Sequence, residues 1–308
     1  MVKIALENRM TPLELETLKA ELSSKRPSKG QVLFNKCIKE LSRSFPVAFK
    51  TLQQDVNTSM AAINMVDKLD IMYKQIGKPR PEPFTRHSLS RNIKLYATEG
   101  EKSYKTLAIC FTGNAERMMM PTPIFLQHID AERIDIALIR NAKRNGFRKG
   151  IEGITENLES SIDKLKDLLK IGKYRAIVAL GTSGGGLPAV LAATRLGLDA
   201  VLSVGGNNPN DSHWQIEDNR TACDLLRSYT NSASKTPKTF LAFGVDFPKD
   251  KLAAESLAEF IPAQLLPITD PSGQVRHNAL FPLIKQGKLT ELLETTIFDS
   301  SYLKKNGN

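Results

Sequence analysis

Cysteine is scarce in this sequence, and so are aromatic side chains and long apolar runs. The three cysteines, Cys37, Cys110 and Cys223, share no short spacing, which excludes a disulfide framework and a cysteine-based zinc site. We therefore expect reduced thiols and a cytoplasmic protein. No apolar run approaches the roughly 18 residues of a membrane span, and Glu7 interrupts the place where a signal peptide needs its apolar core. We expect neither a membrane span nor a secretion signal.

Aromatic residues make up only 6% of the chain, which matters for whether its excess of basic charge serves nucleic-acid binding. Lys and Arg number 43 against 33 Asp and Glu, and a formal net charge of +10 can attract nucleic acid or another polyanion. The basic residues are spread along helical segments, as at Lys164, Lys166 and Lys170, with few aromatic rings to stack on bases. We interpret the charge as a solvated surface and expect no specific nucleic-acid binding.

Residues 1–84 have the pattern of a separate helical region. Thr11, Pro12 and Glu14 combine an N-cap, a proline at the first helical position and a capping-box glutamate, and apolar residues follow at helical spacing. The proline-rich segment Lys78–Pro83 cannot continue a helix. We expect an N-terminal helical region with a proline-rich linker over 1–84 and a second domain over 85–308.

The second domain alternates short apolar, β-branched runs with helical stretches, which predicts a mostly parallel sheet flanked by helices. The predicted strands are Ile93–Thr98, Leu107–Phe111, Ile134–Ile139, Ala176–Leu180, Ala200–Val204, Thr239–Phe243 and Gln264–Ile268. The predicted helices are Ile154–Leu169, Leu187–Leu196, Lys251–Phe260 and Leu280–Leu293.

A Gly-x-Ser-x-Gly motif, Gly181–Gly185, lies between a predicted strand and a predicted helix. The five-residue pattern alone is weak, but this strand-turn-helix setting is typical of a nucleophilic serine on a sharp turn. Glycines suit the turn because side chains there would collide with the neighbouring strand or helix. The same turn directs the free N–H groups of the new helix at the serine oxygen, where they can stabilise an oxyanion. Ser183 is therefore the candidate nucleophile, and Gly184 N–H is a candidate oxyanion donor.

A triad on such a sheet runs serine, acid, histidine along the chain, with the histidine after the last strand. His277 has that position, whereas His213 comes too early. We expect His277 to act as general base and then as general acid. Two acids follow the strand Thr239–Phe243: Asp246, nearer the strand end, and Asp250, which also suits a helix N-cap.

The chain resembles α/β-hydrolase-type proteins of bacterial polysaccharide and capsule biosynthesis clusters. The resemblance extends from Leu107 to Leu293 and is carried by three segments: Gly181–Val201, Asp250–Leu257 and His277–Leu289. It implies an α/β-hydrolase fold and places the acid immediately before the helix, which favours Asp250 over Asp246. It also implies an acylated sugar or polysaccharide as a substrate class.

The second oxyanion donor is expected in the loop after an early strand. Thr112 and Gly113 follow the strand Leu107–Phe111 and are the candidates. The whole set predicts acyl transfer through an acyl-Ser183 intermediate, to water or to a sugar hydroxyl, with no metal and no cofactor. A non-catalytic, hydrolase-like accessory protein is the alternative, and in either case the N-terminal helices are a candidate docking element for a protein partner.

Overall fold

The structure, a computed structural model of the chain, describes residues 84–214, 220–233 and 235–299, together with residues 71, 74 and 75. The predicted N-terminal helices, the proline-rich linker and Cys37 lie outside the described residues. The boundary after residue 84 therefore stays a prediction. By contacts within the chain, residues 120–128 and residues 84–119 with 129–299 belong to two different compact units, and the second of these carries the sheet.

Eight strands form one sheet, and most of them match the predicted runs. The strands are β1 (Thr85–Ser88), β2 (Ile93–Ala97), β3 (Thr106–Phe111), β4 (Ile134–Ile139), β5 (Ala176–Thr182), β6 (Ala200–Val204), β7 (Lys238–Gly244) and β8 (Ala263–Ile268). The short strand β1 has no strong apolar alternation, and the sequence did not predict it.

The strand order across the sheet is β1-β2-β4-β3-β5-β6-β7-β8. The pairs β1–β2 and β2–β4 are antiparallel, and every pair from β4 through β8 is parallel. Every residue of β3 and β4 is buried, as expected for central strands covered on both faces. The predicted fold class, a mostly parallel sheet flanked by helices, is confirmed.

Seven α-helices connect or follow the strands within the described ranges. They are α1 (Thr122–Gln127), α2 (Leu158–Leu168), α3 (Gly186–Leu196), α4 (Ala222–Ser232), α5 (Pro248–Ala258), α6 (Leu280–Lys285) and α7 (Leu289–Thr295). Helix α3 packs on β5 and β6, and α5 packs on β7 and β8. None of the helices in these ranges has the length and apolar content needed to cross a membrane.

Three predicted helix boundaries were wrong. The predicted helix Leu280–Leu293 is two helices, because the chain turns at Gly287, whose φ of +70° lies in the left-handed region. Helix α2 begins at Leu158, four residues after the apolar stripe starts, since Asn157 caps it by accepting from Ser160 N–H. Helix α5 begins at Pro248 instead of Lys251, with Phe247 as its N-cap. Asp250 thus lies in the first turn and is not the cap.

The first turn of α3 lies unusually close to β3. A Cβ placed on Gly185 would collide with the carbonyl of Phe111 and lie 2.7 Å from that of Thr112, and both obstacles are backbone atoms that cannot rotate away. Only glycine fits between the helix and the strand at this residue.

We predict that Gly185→Ala destabilises the fold, because the added methyl group forces α3 away from β3. Overpacking of this kind costs about 1–3 kcal/mol or more, which corresponds to roughly 2–4 °C in Tm for each kcal/mol. Thermal unfolding followed by circular dichroism measures the shift. Gly172→Ala is the matched control, since a Cβ at Gly172 meets no atom within 4 Å. Equal Tm values for the two variants would contradict this account of the turn.

Candidate active site

Ser183 lies at the carboxyl edge of the sheet, between the end of β5 and the start of α3. It opens a single 3-10 turn, Ser183–Gly185, and its own φ is +53°. A non-glycine residue rarely adopts this left-handed conformation, which costs of order 1–3 kcal/mol and persists only where the surroundings impose it. The turn therefore holds the serine in a strained and fixed orientation.

The described structure brings the three predicted site residues into contact. His277 Nε2 lies 2.8 Å from Ser183 Oγ, and His277 Nδ1 lies 2.7 Å from Asp250 Oδ2. The Asp250 side chain is 5% exposed and that of His277 is 44% exposed. A buried carboxylate thus orients an imidazole whose other nitrogen faces the serine and whose edge is open to solvent. This is the arrangement that a nucleophile, its base and an orienting acid require.

Asp246, the alternative acid, contacts the backbone of Val275 instead of the His277 ring. Its Oδ2 accepts a hydrogen bond of 2.8 Å from Val275 N–H, and its own N–H donates to Val275 O at 3.1 Å. The carboxylate that bonds His277 Nδ1 is that of Asp250. His213, the earlier histidine, lies in a short 3-10 turn, Ser212–Trp214, and its side chain is outside the described part of the structure.

Gly205, which sequence reasoning did not single out, lies against the bond between acid and histidine. A Cβ at this position would lie 2.8 Å from Asp250 Oδ2 and 3.2 Å from His277 Nδ1, and the residue has a φ of +56°. Both the space and the backbone conformation therefore require glycine. A signal was present in the sequence, since the Gly205-Gly206 pair directly follows β6.

The loop after β3 approaches the serine, and its two alternative candidates for the second oxyanion donor differ in their hydrogen bonds. Thr112 N–H donates to Ile139 O at 3.0 Å and so extends the parallel ladder between β3 and β4, which leaves it no proton for a ligand. Gly113 lies against Ser183: a Cβ on it would be 2.9 Å from Ser183 Cβ. Its N–H makes only a long bond, 3.4 Å, to Arg117 O. Gly184 follows Ser183 at the first turn before α3, where N–H groups have no partner within the helix.

Two asparagines that the sequence analysis missed hold this loop in place. Asn141, which is 2% exposed, donates from Nδ2 to Asn114 Oδ1 at 2.9 Å and from its backbone N–H to Thr112 Oγ1 at 3.1 Å. The Asn114 oxygen would lie 2.8 Å from a Cβ on Gly184. Side chains at the ends of β3 and β4 therefore define one wall of the space next to Ser183.

Neither described cysteine competes with Ser183 as a nucleophile. Cys110 lies in β3 and is fully buried, and burial raises the pKa of its thiol far above the usual range. Burial is also the main cause that raises the pKa of the Cys223 thiol, whose Sγ donates to Pro209 O. A raised pKa leaves little thiolate, the reactive form, at neutral pH.

The described residues also contain no cluster of metal ligands. Within the described ranges no three His, Cys, Asp or Glu side chains come together as a group that could hold a metal ion.

Together these features define the class of fold. A mostly parallel sheet flanked by helices, with a serine on a sharp turn between a central strand and a helix, is the α/β-hydrolase fold. The strand order and the geometry of the turn carry this assignment.

Comparison with known proteins finds solved structures that are similar to this chain at low sequence identity. The chain is similar to a dienelactone hydrolase from Anabaena variabilis, with 15% identity over 70% of this chain and 98% of that one and a TM-score of 0.47. An esterase from the archaeon Pyrobaculum calidifontis has 14% identity over 82% and 97%, with a TM-score of 0.47. A 2,6-dihydroxy-pseudo-oxynicotine hydrolase has 17% identity over 91% and 86%, with a TM-score of 0.48. No family model and no curated protein matches the sequence.

We predict that Gly113→Ala lowers the reactivity of Ser183 towards an organophosphonate by about tenfold or more. The added methyl group would lie 2.9 Å from Ser183 Cβ and 3.0 Å from Thr182 O, so it displaces the loop or the serine, and small displacements of reacting groups cost up to about 10²-fold in rate. The labelling rate is measured by mass spectrometry. Gly273→Ala, in an exposed loop with no atom within 4 Å of the new Cβ, is the control. Wild-type reactivity of Gly113→Ala would show that the close approach does not matter.

Proposed function

We propose that this protein is a serine hydrolase that cleaves acyl esters through a covalent acyl-Ser183 intermediate. The observation that carries the proposal is the continuous pair of contacts from Ser183 Oγ through the His277 ring to the buried Asp250 carboxylate, at 2.8 and 2.7 Å. A protein with only a binding role has no need for a strained serine aligned with a histidine and a buried acid. The same contacts favour an enzyme over the accessory-protein alternative.

The first half-reaction forms the acyl-enzyme. Ser183 Oγ attacks the ester carbonyl carbon while His277 Nε2 removes the hydroxyl proton, and Asp250 stabilises the imidazolium through Nδ1–H. The oxyanion is stabilised by Gly184 N–H and the amino end of α3, with a second donor from the loop after β3. Gly113 N–H is the remaining candidate among the predicted donors. The intermediate collapses when the bond to the leaving alcohol breaks and His277 returns the proton to that alcohol.

The second half-reaction regenerates the serine. A water molecule or an acceptor hydroxyl loses its proton to His277 and attacks the acyl carbonyl, and the Ser183 Oγ–acyl bond breaks as the proton returns to Ser183 Oγ. The His277 side chain is 44% exposed, so part of the ring is open to solvent, which can supply the acceptor.

The substrate class proposed here is a small-molecule ester or an acylated sugar. An esterase site of this kind accepts small esters, and the sugar follows from the resemblance of Gly181–Val201 to hydrolase-like proteins of polysaccharide biosynthesis. Free, buried thiols at Cys110 and Cys223 are compatible with the reducing cytoplasm predicted from the sequence.

We predict that a fluorophosphonate probe labels the wild-type protein at Ser183 and that the protein hydrolyses p-nitrophenyl acetate. Ser183→Ala abolishes the labelling, because no nucleophile remains, and His277→Ala slows both labelling and hydrolysis by at least about 10³-fold because the base is lost. Mass spectrometry locates the label. Ser272→Ala, an exposed serine of the loop that carries His277, is the control and should label normally. Labelling that persists in Ser183→Ala, or none in the wild type, would refute the proposal.

We further predict that Asp250→Asn lowers kcat for p-nitrophenyl acetate by roughly 10²–10⁴-fold with little change in KM. The amide keeps the shape of the side chain but cannot stabilise the imidazolium, and it favours the wrong tautomer of His277. Steady-state kinetics give both parameters. Asp270→Asn is the control, because Asp270 pairs with Lys285 and Ser272 instead. A kcat within threefold of the wild type would remove Asp250 from the site.

A further inference from the structure

We propose that Asp246 is a positioning residue, which holds the loop carrying His277 at the distance that Ser183 and Asp250 require. The loop in question, named here the histidine loop, consists of residues 269–279. This inference rests on the proposed function. It assigns a role to the carboxylate of Asp246, which has none if Asp250 is the acid.

The contact between Asp246 and the histidine loop uses both of its hydrogen-bonding groups. The carboxylate oxygen Oδ2 accepts from Val275 N–H at 2.8 Å, and Asp246 N–H donates to Val275 O at 3.1 Å. A single residue thus satisfies the donor and the acceptor of Val275. Two bonds in opposite directions fix both the position and the rotation of this peptide segment, which one bond cannot do.

Val275 transmits this restraint to the histidine because only Arg276 separates the two. The Val275 side chain is 1% exposed and anchors the loop in the interior, and its neighbours Gln274 and Arg276 are exposed. At the end of β7, a Cβ on Gly244 would collide with the carbonyls of Val275 and Arg276. The histidine loop therefore lies directly on the backbone at the end of β7, where the segment that carries Asp246 and Asp250 begins.

Asp246 and Asp250 are four residues apart on this segment, which runs from the end of β7 into the first turn of α5. One carboxylate holds the His277 ring and the other holds the backbone two residues before it. The ring of Phe247, between them, lies 5.7 Å from the His277 ring. The segment from Gly244 to Asp250 thus fixes His277 at its backbone and at its ring, so that Nε2 faces Ser183.

The two possible roles of Asp246 differ in their chemical requirement. An acid that stabilises an imidazolium needs a negative charge. A positioning residue needs only an oxygen that accepts from Val275 N–H, and an asparagine supplies one. Asp246 is exposed, so the second amide hydrogen-bonding group of an asparagine would be solvated at no cost.

We predict that Asp246→Ala lowers kcat for p-nitrophenyl acetate by about ten- to hundredfold with KM changed less than threefold, because His277 loses its alignment and the substrate site does not change. Asp246→Asn restores kcat to at least one third of the wild-type value. Gln274→Ala, a change in the same loop that removes only contacts with Arg276, is the control and should leave kcat unchanged. Circular dichroism and Tm establish that each variant is folded.

Combining the substitutions separates positioning from a general loss of stability. If Asp246 acts through the alignment of His277 with Asp250, then Asp246→Ala costs less in the Asp250→Asn background than in the wild type. Full additivity, a wild-type kcat for Asp246→Ala, or an Asp246→Asn variant as slow as Asp246→Ala would each overturn the inference. These outcomes are distinct from failure of the proposed function, which would appear as Ser183→Ala retaining activity.

Discussion

The turn between β5 and α3 leaves room for one side chain, that of Ser183, and the rest of the site depends on this tightness. Glycine at 185 lets the first turn of α3 touch the backbone at the end of β3, which no larger residue would permit. The same turn lies against Gly113, and the φ of Ser183 is +53°. Close packing, a strained serine and the amino end of α3 therefore occur together at this turn.

On the other side of the site, His277 depends on contacts from other segments for its position. His277 lies on a loop, and loops are mobile unless other elements restrain them. Here the end of β6 contributes Gly205, which packs against the acid–histidine bond, and the segment after β7 contributes Asp250. The rigid serine turn thus faces a histidine that is held in place by residues after two neighbouring strands, β6 and β7. Precise alignment at such a place requires hydrogen bonds to the loop backbone, which is the part that we assign to Asp246.

Asp250 and His277 lie in different environments. The carboxylate of Asp250 is buried, where its interaction with an imidazolium is least weakened by water, and the His277 ring is open on one side. An open ring can exchange protons with a leaving alcohol and with incoming water, as the two half-reactions that we propose require. The same carboxyl edge carries Asn141 and Asn114, whose hydrogen bond fixes the loop that contains Gly113, the proposed second oxyanion donor.

Much of the fold was predictable because it depends on local patterns. Strands such as β4 and β6 are short and mainly apolar, with one polar residue each, and their limits were predicted to the residue. The glycine-flanked serine between a strand and a helix predicted the turn from a local pattern, although the backbone that excludes a side chain at Gly185 belongs to the end of β3. Boundaries were less predictable where one glycine or one cap decides them, as at Gly287 and Asn157.

The sequence by itself determined which residue types stand at the ends of which strands, and hence the serine, the two acids and the histidine as candidates. Only the tertiary structure shows which of these side chains are in contact. Ser183 and His277 are 94 residues apart in the chain, and which carboxylate meets the histidine depends on where the loop lies over β7. Likewise, the register that pairs Phe111 with Ile139 takes the Thr112 N–H into the ladder between β3 and β4. Hydrogen bonds between distant segments follow from strand register and loop placement, which no local pattern encodes.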